Sequence, residues 1–321
     1  MTELVAAQAR RSRIEWREWL RENGVYVGIV VLVIVNVLLS PSFLSERSLR
    51  LQVVQVVPVA IVSLGMAVVI GTRGIDISVG SVMAIAAATM AAFLGYGPIP
   101  AIIAAIVACI VIGLINGGLV AFVGIQPIVA TLGMLVAGRG IALVIANGKL
   151  TEIFDPMLTN LGTAAFMGIP VVVLITIALA VAVSIIVGRT TFGRHVLATG
   201  GNPVASALSG VPAKRTLVAV YVLSATLAAI AGILATARVK AADPSYLGSL
   251  IELSAITAVV VGGTPLSGGR VRVAGTIAGA LLLQLITATL IRNNLSDSTS
   301  RMVAALIILG AVYLQRDKGN T

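Results

Sequence analysis

The sequence holds one histidine, His195, one cysteine, Cys109, and only 12 Asp and Glu in 321 residues. These shortages exclude chemistry before any motif is considered. A lone cysteine within an apolar run rules out a disulfide framework and any Cys-based metal cluster, which leaves helix packing as its role. A lone histidine in a basic loop permits neither a histidine-dependent triad nor a multi-histidine metal site. No Asp or Glu occurs between residues 77 and 151, or between 156 and 242. Carboxylates for a buried proton relay are therefore scarce, which argues against an intramembrane enzyme and against a proton pump. Neither a catalytic residue nor a metal-ligand set is assigned.

What the chain has in abundance is apolar residues, 58% against 11% charged. That is more apolar surface than one soluble core of this length buries. The expected class is an all-α polytopic membrane protein. A hydrocarbon core of roughly 30 Å takes about 20 helical residues, and apolar runs fall at 24–40, 51–70, 81–95, 100–121, 128–146, 168–187, 216–236, 251–262, 273–291 and 302–315. About ten transmembrane or half-spanning helices follow. The run 251–262 rises only about 18 Å as a helix, so a half-span or re-entrant helix is expected there.

The net charge of +10 comes from basic residues in short segments between these runs, with no basic stripe and no interleaved aromatics. No nucleic-acid partner is implied; the charges set topology instead. With the N-terminus inside, the cytoplasmic set is Arg10, Arg11, Arg13, Arg17, Arg21, Arg189, Arg194, Lys214, Arg215, Arg316 and Lys318, against Arg47, Arg50, Lys149, Arg238, Lys240, Arg292 and Arg301 outside. Both termini are thus expected in the cytoplasm. Residues 1–23 read as a retained cytoplasmic segment with Trp16 and Trp19 suited to the interface, 24–315 as one transmembrane domain, and 316–321 as a cytoplasmic tail.

The stretch "VVIGTRGIDISVGSVMAIAA" (68–87) interrupts an apolar run with Arg73, Asp76 and the glycines Gly71, Gly74 and Gly80. Broken helix at membrane depth survives only where its freed backbone is buried in protein or faces a watery cavity. Asp76 stands where a new helix begins, so it is expected to cap that helix, paired with Arg73, or to touch a polar solute; both roles stay open. Overlaying "VVVGGTPLSGGRVRVAG" aligns Gly71 with Gly262 and marks a second break containing Gly262, Gly263, Gly268 and Gly269. Solute sites in transporters lie between such repeats. Asp76, Ser78, Asn116 and Thr131 are the candidate path-facing groups, with interhelical hydrogen bonding the competing role for Asn116.

The loop 188–215 is too long for a tight turn. Within it Asn202 is placed to cap a short helix, Pro203 suits its first position and Gly210 its end, so Asn202, Pro203, Val204, Ala205, Ser206, Ala207, Leu208, Ser209 and Gly210 form a small-residue helix shaped to dock into a groove on a soluble partner. "PLSGGR" (265–270) resembles the signature peptide of ATP-binding-cassette ATPases, but no G-x-x-x-x-G-K-[ST] loop occurs anywhere, so this chain does not hydrolyse ATP.

Six ordered motifs, "GIDISVGSV" (74–82), "GLINGGLV" (113–120), "QPIVATLGM" (126–134), "GRHVLATGGNP" (193–203), "LSGV" (208–211) and "VVVGGTPLSGGR" (259–270), resemble the permease subunits of ribose-type ATP-binding-cassette sugar importers. The likeness covers nearly the whole chain after about residue 40. It implies an inner-membrane permease acting as a homodimer in lipid, with a cytoplasmic ATPase that binds ATP and Mg and an extracytoplasmic sugar-binding protein; this chain itself needs no cofactor. The 202–210 helix becomes the coupling element to the ATPase. Family members usually carry an acid just after "GGNP" and often a base three residues later, where this chain has Val204 and Ala207. The function implied is import of a pentose or hexose by alternating access. The rival readings are a self-sufficient carrier or channel and, within the importer class, a sugar alcohol, nucleoside or signalling carbohydrate as cargo.

Overall fold

In hydrocarbon no water satisfies an exposed N–H or C=O, so long apolar runs coil into helices that bond their own backbone. The computed structural model describes residues 23–40 and 42–293, with isolated positions 298–299, 302–303 and 305–306 beyond them. The described chain is all-α. Its helices are α1 (Asn23–Leu39), then α2 (Glu46–Gln55), α3 (Val57–Gly71), α4 (Val79–Phe93), α5 (Pro98–Gly118), α6 (Pro127–Ile145), α7 (Pro156–Thr163), α8 (Val171–Arg189), α9 (Thr191–Gly201), α10 (Pro203–Leu208), α11 (Ala213–Val239), α12 (Ile251–Val261) and α13 (Val273–Arg292). Proline occupies the first turn of α3, α5, α6, α7 and α10. Its missing N–H is harmless there and its fixed φ suits a helix start.

Among the described residues seven helical runs are long and apolar enough to cross a membrane, with α2 and α3 counted as one bent span; α1 and α12 are apolar but shorter. Nine of the ten expected runs are therefore helical where expected. The tenth, 302–315, lies outside the described residues apart from a few positions, as do the N-terminal segment before Asn23 and the tail 316–321. The 11-residue α12 spans about 16 Å, the half-span expected of it.

Burial ranks the helices. The α2–α3 span, α4 and α11 are enclosed over 72, 67 and 61% of their membrane windows, whereas α5, α6, α8 and α13 are enclosed over only 28, 22, 22 and 33%. The first three are the core, and the rest keep an apolar face for lipid or another chain. Small residues let α3 and α5 approach α11 closely. A Cβ on Gly113 or Gly117 of α5 would stand 2.7 Å from the Cα of Val222 or Val218 on α11, and one on Gly65 would stand 2.9 Å from the Cα of Ser224. Gly113 and Gly117, two of the three glycines of "GLINGG", thus serve helix contact, where lipid tails supply no hydrophobic drive and close packing must.

Two short antiparallel pairs tie connections together: β1 (Thr151–Glu152) with β4 (Ala241–Ala242), and β2 (Ala165–Phe166) with β3 (Ile169–Pro170). Cys109 on α5 is fully buried, its Sγ 3.5 Å from the Val82 carbonyl of α4. Thiol chemistry needs access. A maleimide should leave the folded protein unlabelled and react once SDS opens the bundle; prompt labelling of folded protein would contradict this packing.

Candidate functional site

The first break begins where α3 ends at Gly71 and runs to Ser78, the residue before α4. At its centre Asp76 is 1% exposed. Its Oδ1 accepts from the Ser78 backbone N–H (3.1 Å) and from the Ser78 hydroxyl (2.6 Å), and its Oδ2 accepts from Ser224 Oγ of α11 (2.9 Å). Asn116 of α5 donates through Nδ2 to Ser78 Oγ at 2.9 Å. Thr131 of α6 has its hydroxyl 3.2 Å from the Ile75 carbonyl and 2.9 Å from that of Pro127. Three of the four residues singled out in the sequence therefore join one hydrogen-bonded cluster, the fourth leans on the same break, and all four are enclosed by protein within the single chain. The bond expected of Asn116 to a neighbouring helix goes instead to Ser78 in the break, just before α4.

The capping expected of Asp76 takes a different form. Residues 77 and 78 make a turn, so α4 starts only at Val79. The carboxylate reaches the Ser78 N–H across that turn, just ahead of the helix. Nor does Asp76 pair with Arg73: Arg73 adopts a left-handed conformation (φ 66°) and donates to the carbonyls of Gly200 and Gly201. Hydroxyl and backbone amide donors satisfy the buried carboxyl oxygens instead.

The second break closes on itself through the Arg272 N–H, which donates to Thr264 Oγ1 at 3.0 Å. Gly268 and Gly269, at φ 76° and 77°, turn its tip in a conformation that side chains resist. The tip reaches the first break, where the Gly269 N–H donates to the Gly71 carbonyl at 3.0 Å. The remaining glycines are close approaches. Gly74 faces Tyr221 Oη, Gly80 in the first turn of α4 faces the Gly248 carbonyl, Gly262 packs on Gly275 of α13, and Gly263 lies under Arg272. The two breaks foreseen separately are thus one junction.

The segment 202–210 folds as expected into a short capped helix. Asn202 accepts from the Ala205 N–H at 3.0 Å, Pro203 is the first residue of α10, and Gly210 follows at φ 77°. Val204 and Leu208 are 71 and 86% exposed, while Ser206 is buried. A second helix, α9, precedes it, capped by Thr190 at the Gly193 N–H.

The sequence did not single out Ser224, Tyr221, Arg139 or Glu252. Ser224 is one of five hydroxyl-bearing residues in the 27-residue α11, with Thr216, Tyr221, Thr226 and Thr236, and so a weak signal. Arg139 of α6 is a charge inside an apolar run, a stronger one, and it donates to the carbonyls of Pro244 and Leu247 at 2.8 Å each. It thereby holds the connection that leads into α12, whose Glu252 is buried beside Gly80. Among the described residues no group of three His, Cys, Asp or Glu is placed to hold a metal ion. Seven membrane-length helical runs, enclosed polar clusters and two broken helices in backbone contact are those of a multi-pass membrane protein.

Comparison with known proteins agrees. Residues 50–312 match the family described as branched-chain amino acid transport system, permease component. The ribose import permease protein of Bacillus subtilis (strain 168) is 35% identical over 322 residues, covering 97% of this chain and 98% of the relative. The galactofuranose transporter permease protein of Escherichia coli (strain K12) is 37% identical over 263 residues, 81% of this chain and 77% of the relative. The L-arabinose transport system permease protein of the same strain is 32% identical over 300 residues, 92% and 91%. No solved structure matches the chain.

Proposed function

The chain belongs to the branched-chain amino acid transport system permease-component family, among the sugar-import permeases of ATP-binding-cassette systems, and from that premise we propose how it works. It is a multi-pass transport subunit of the inner membrane. Two copies form the passage, a separate cytoplasmic ATPase binds ATP and Mg, and an extracytoplasmic protein delivers the solute. The cargo is a pentose or hexose, the chemistry named for the ribose, arabinose and galactofuranose relatives. Both termini face the cytoplasm, following the excess of Lys and Arg there.

The observation that carries the coupling role is α10: a six-residue helix, capped at both ends, that presents Val204 and Leu208 to solvent rather than to its own protein. Exposed apolar side chains on a short rigid helix fit a groove on a soluble partner. With Val204 and Ala207 in place of charges, docking rests on shape and apolar contact. Asp76, Ser78, Asn116 and Thr131 anchor the first break beside the passage, so that the two permease copies rock as units during alternating access.

The test is ATP-dependent uptake in proteoliposomes holding the permease, its ATPase and its binding protein. Replacing Leu208→Glu should cut uptake at least about tenfold, since desolvating a charge in an apolar groove exceeds the roughly 1.4 kcal/mol that a factor of ten represents, while the protein still inserts. Uptake by the lone chain without nucleotide would overturn the proposal in favour of a self-sufficient carrier.

A further inference from the structure

The first break carries a cation that the Asp76 cluster does not use. The guanidinium of Arg73 donates through Nε to the Gly200 carbonyl and through a terminal nitrogen to the Gly201 carbonyl, 2.6 Å away in the second case. These are the last two residues of α9. Carbonyls at a helix C-terminus lack intrahelical partners and carry the negative end of the helix dipole, so a fork of positive N–H groups is their natural ligand. The next residue, Asn202, caps α10. Arg73 therefore holds the root of the exposed helix from the side of the first break.

The second break sits on the same point. A Cβ on Gly268 would stand 2.6 Å from Arg73 Cγ and 3.0 Å from the Arg73 backbone nitrogen, one on Gly200 would overlap the Gly71 carbonyl, and Gly269 bonds that same carbonyl. Three chain segments, 71–74, 200–201 and 268–269, thus meet backbone to backbone with the Arg73 side chain threaded between them.

We propose that Arg73 is a positioning residue for energy transfer: it joins the α9–α10 elbow to both helix breaks, so that a push on α10 moves the breaks with it. The inference rests on the coupling role proposed above for α10. Lysine in its place keeps the charge but cannot span two carbonyls as a planar fork does.

The experiment uses the complete importer in proteoliposomes and measures sugar uptake and ATP hydrolysis together, giving ATP spent per sugar moved. For Arg73→Ala, assembly with the ATPase and hydrolysis should persist while uptake falls, raising that ratio at least about tenfold. Tenfold corresponds to about 1.4 kcal/mol of coupling, less than two charge-assisted hydrogen bonds contribute. Arg73→Lys should fall between Ala and wild type. A part that merely supports the fold would lower hydrolysis and uptake together and leave the ratio unchanged, and an unchanged ratio in both variants removes Arg73 from the mechanism. Should Arg73→Ala fail to insert, Arg73→Lys and Arg73→Gln decide by the same ratio. If wild-type uptake itself proves independent of the ATPase, the broader proposal fails instead, and the two failures are told apart.

Discussion

Gly200→Ala should yield no folded permease, whereas Gly201→Ala should yield normal amounts. The two glycines are adjacent at the end of α9, and their surroundings differ completely. A Cβ on Gly200 would overlap the Gly71 carbonyl oxygen and stand 2.6 Å from the Gly269 nitrogen, while nothing lies within 4 Å of a Cβ on Gly201. The obstructing atoms are backbone and are bonded to each other, Gly269 N–H to Gly71 O, so no rotamer change relieves the overlap. Overpacking commonly costs 1–3 kcal/mol where side chains yield; here about 4 kcal/mol or more is expected because whole segments must separate. The measurement is the monodisperse fraction and thermal midpoint of detergent-solubilised protein. Equal stability of the two variants would mean that the breaks and the α9 terminus do not meet as described.

Asp76→Leu should destabilise the protein by about 4 kcal/mol, and Asp76→Asn by about 1 kcal/mol or less. Leucine fills the space but removes every acceptor, stranding the Ser78 N–H and the Ser78 and Ser224 hydroxyls in a buried site. Each orphaned group costs about 1–3 kcal/mol. Asparagine keeps one oxygen for Ser78 and turns an N–H toward Ser224, whose hydroxyl rotates to accept it. Uptake separates the two roles once open to this residue. Anchorage of the break predicts that Asp76→Asn transports within about threefold of wild type, a change under 1 kcal/mol. Loss of transport at unchanged thermal stability would show instead that the negative charge acts on the solute.

Much of this architecture was legible in the residues. The length of each apolar run located the helices, because hydrocarbon offers the backbone no alternative. The shortness of 251–262 marked α12, and Asn202, Pro203 and Gly210 marked α10 through local rules of helix start and stop that need no partner. The glycine clusters at 71–80 and 262–269 identified the breaks for the same reason. Less legible was the partner of each polar side chain. Arg73 and Asp76 are three residues apart and of opposite charge, which suggests a pair; the left-handed backbone at Arg73 sends its guanidinium to α9, 127 residues downstream. Ser224 gave almost no sign of itself, since nothing in the sequence sets it apart from the four other hydroxyls of α11.

Periodicity and composition act over a few residues at a time, and so they established helices, breaks and the short helix α10 without reference to the rest of the chain. Which carbonyl meets Gly269, what satisfies Asp76 and what Arg73 grips are contacts between segments up to about two hundred residues apart. Those depend on how α3, α9, α11 and the second break are brought together, and van der Waals exclusion at Gly71, Gly200 and Gly269 allows that meeting only because each lacks a side chain.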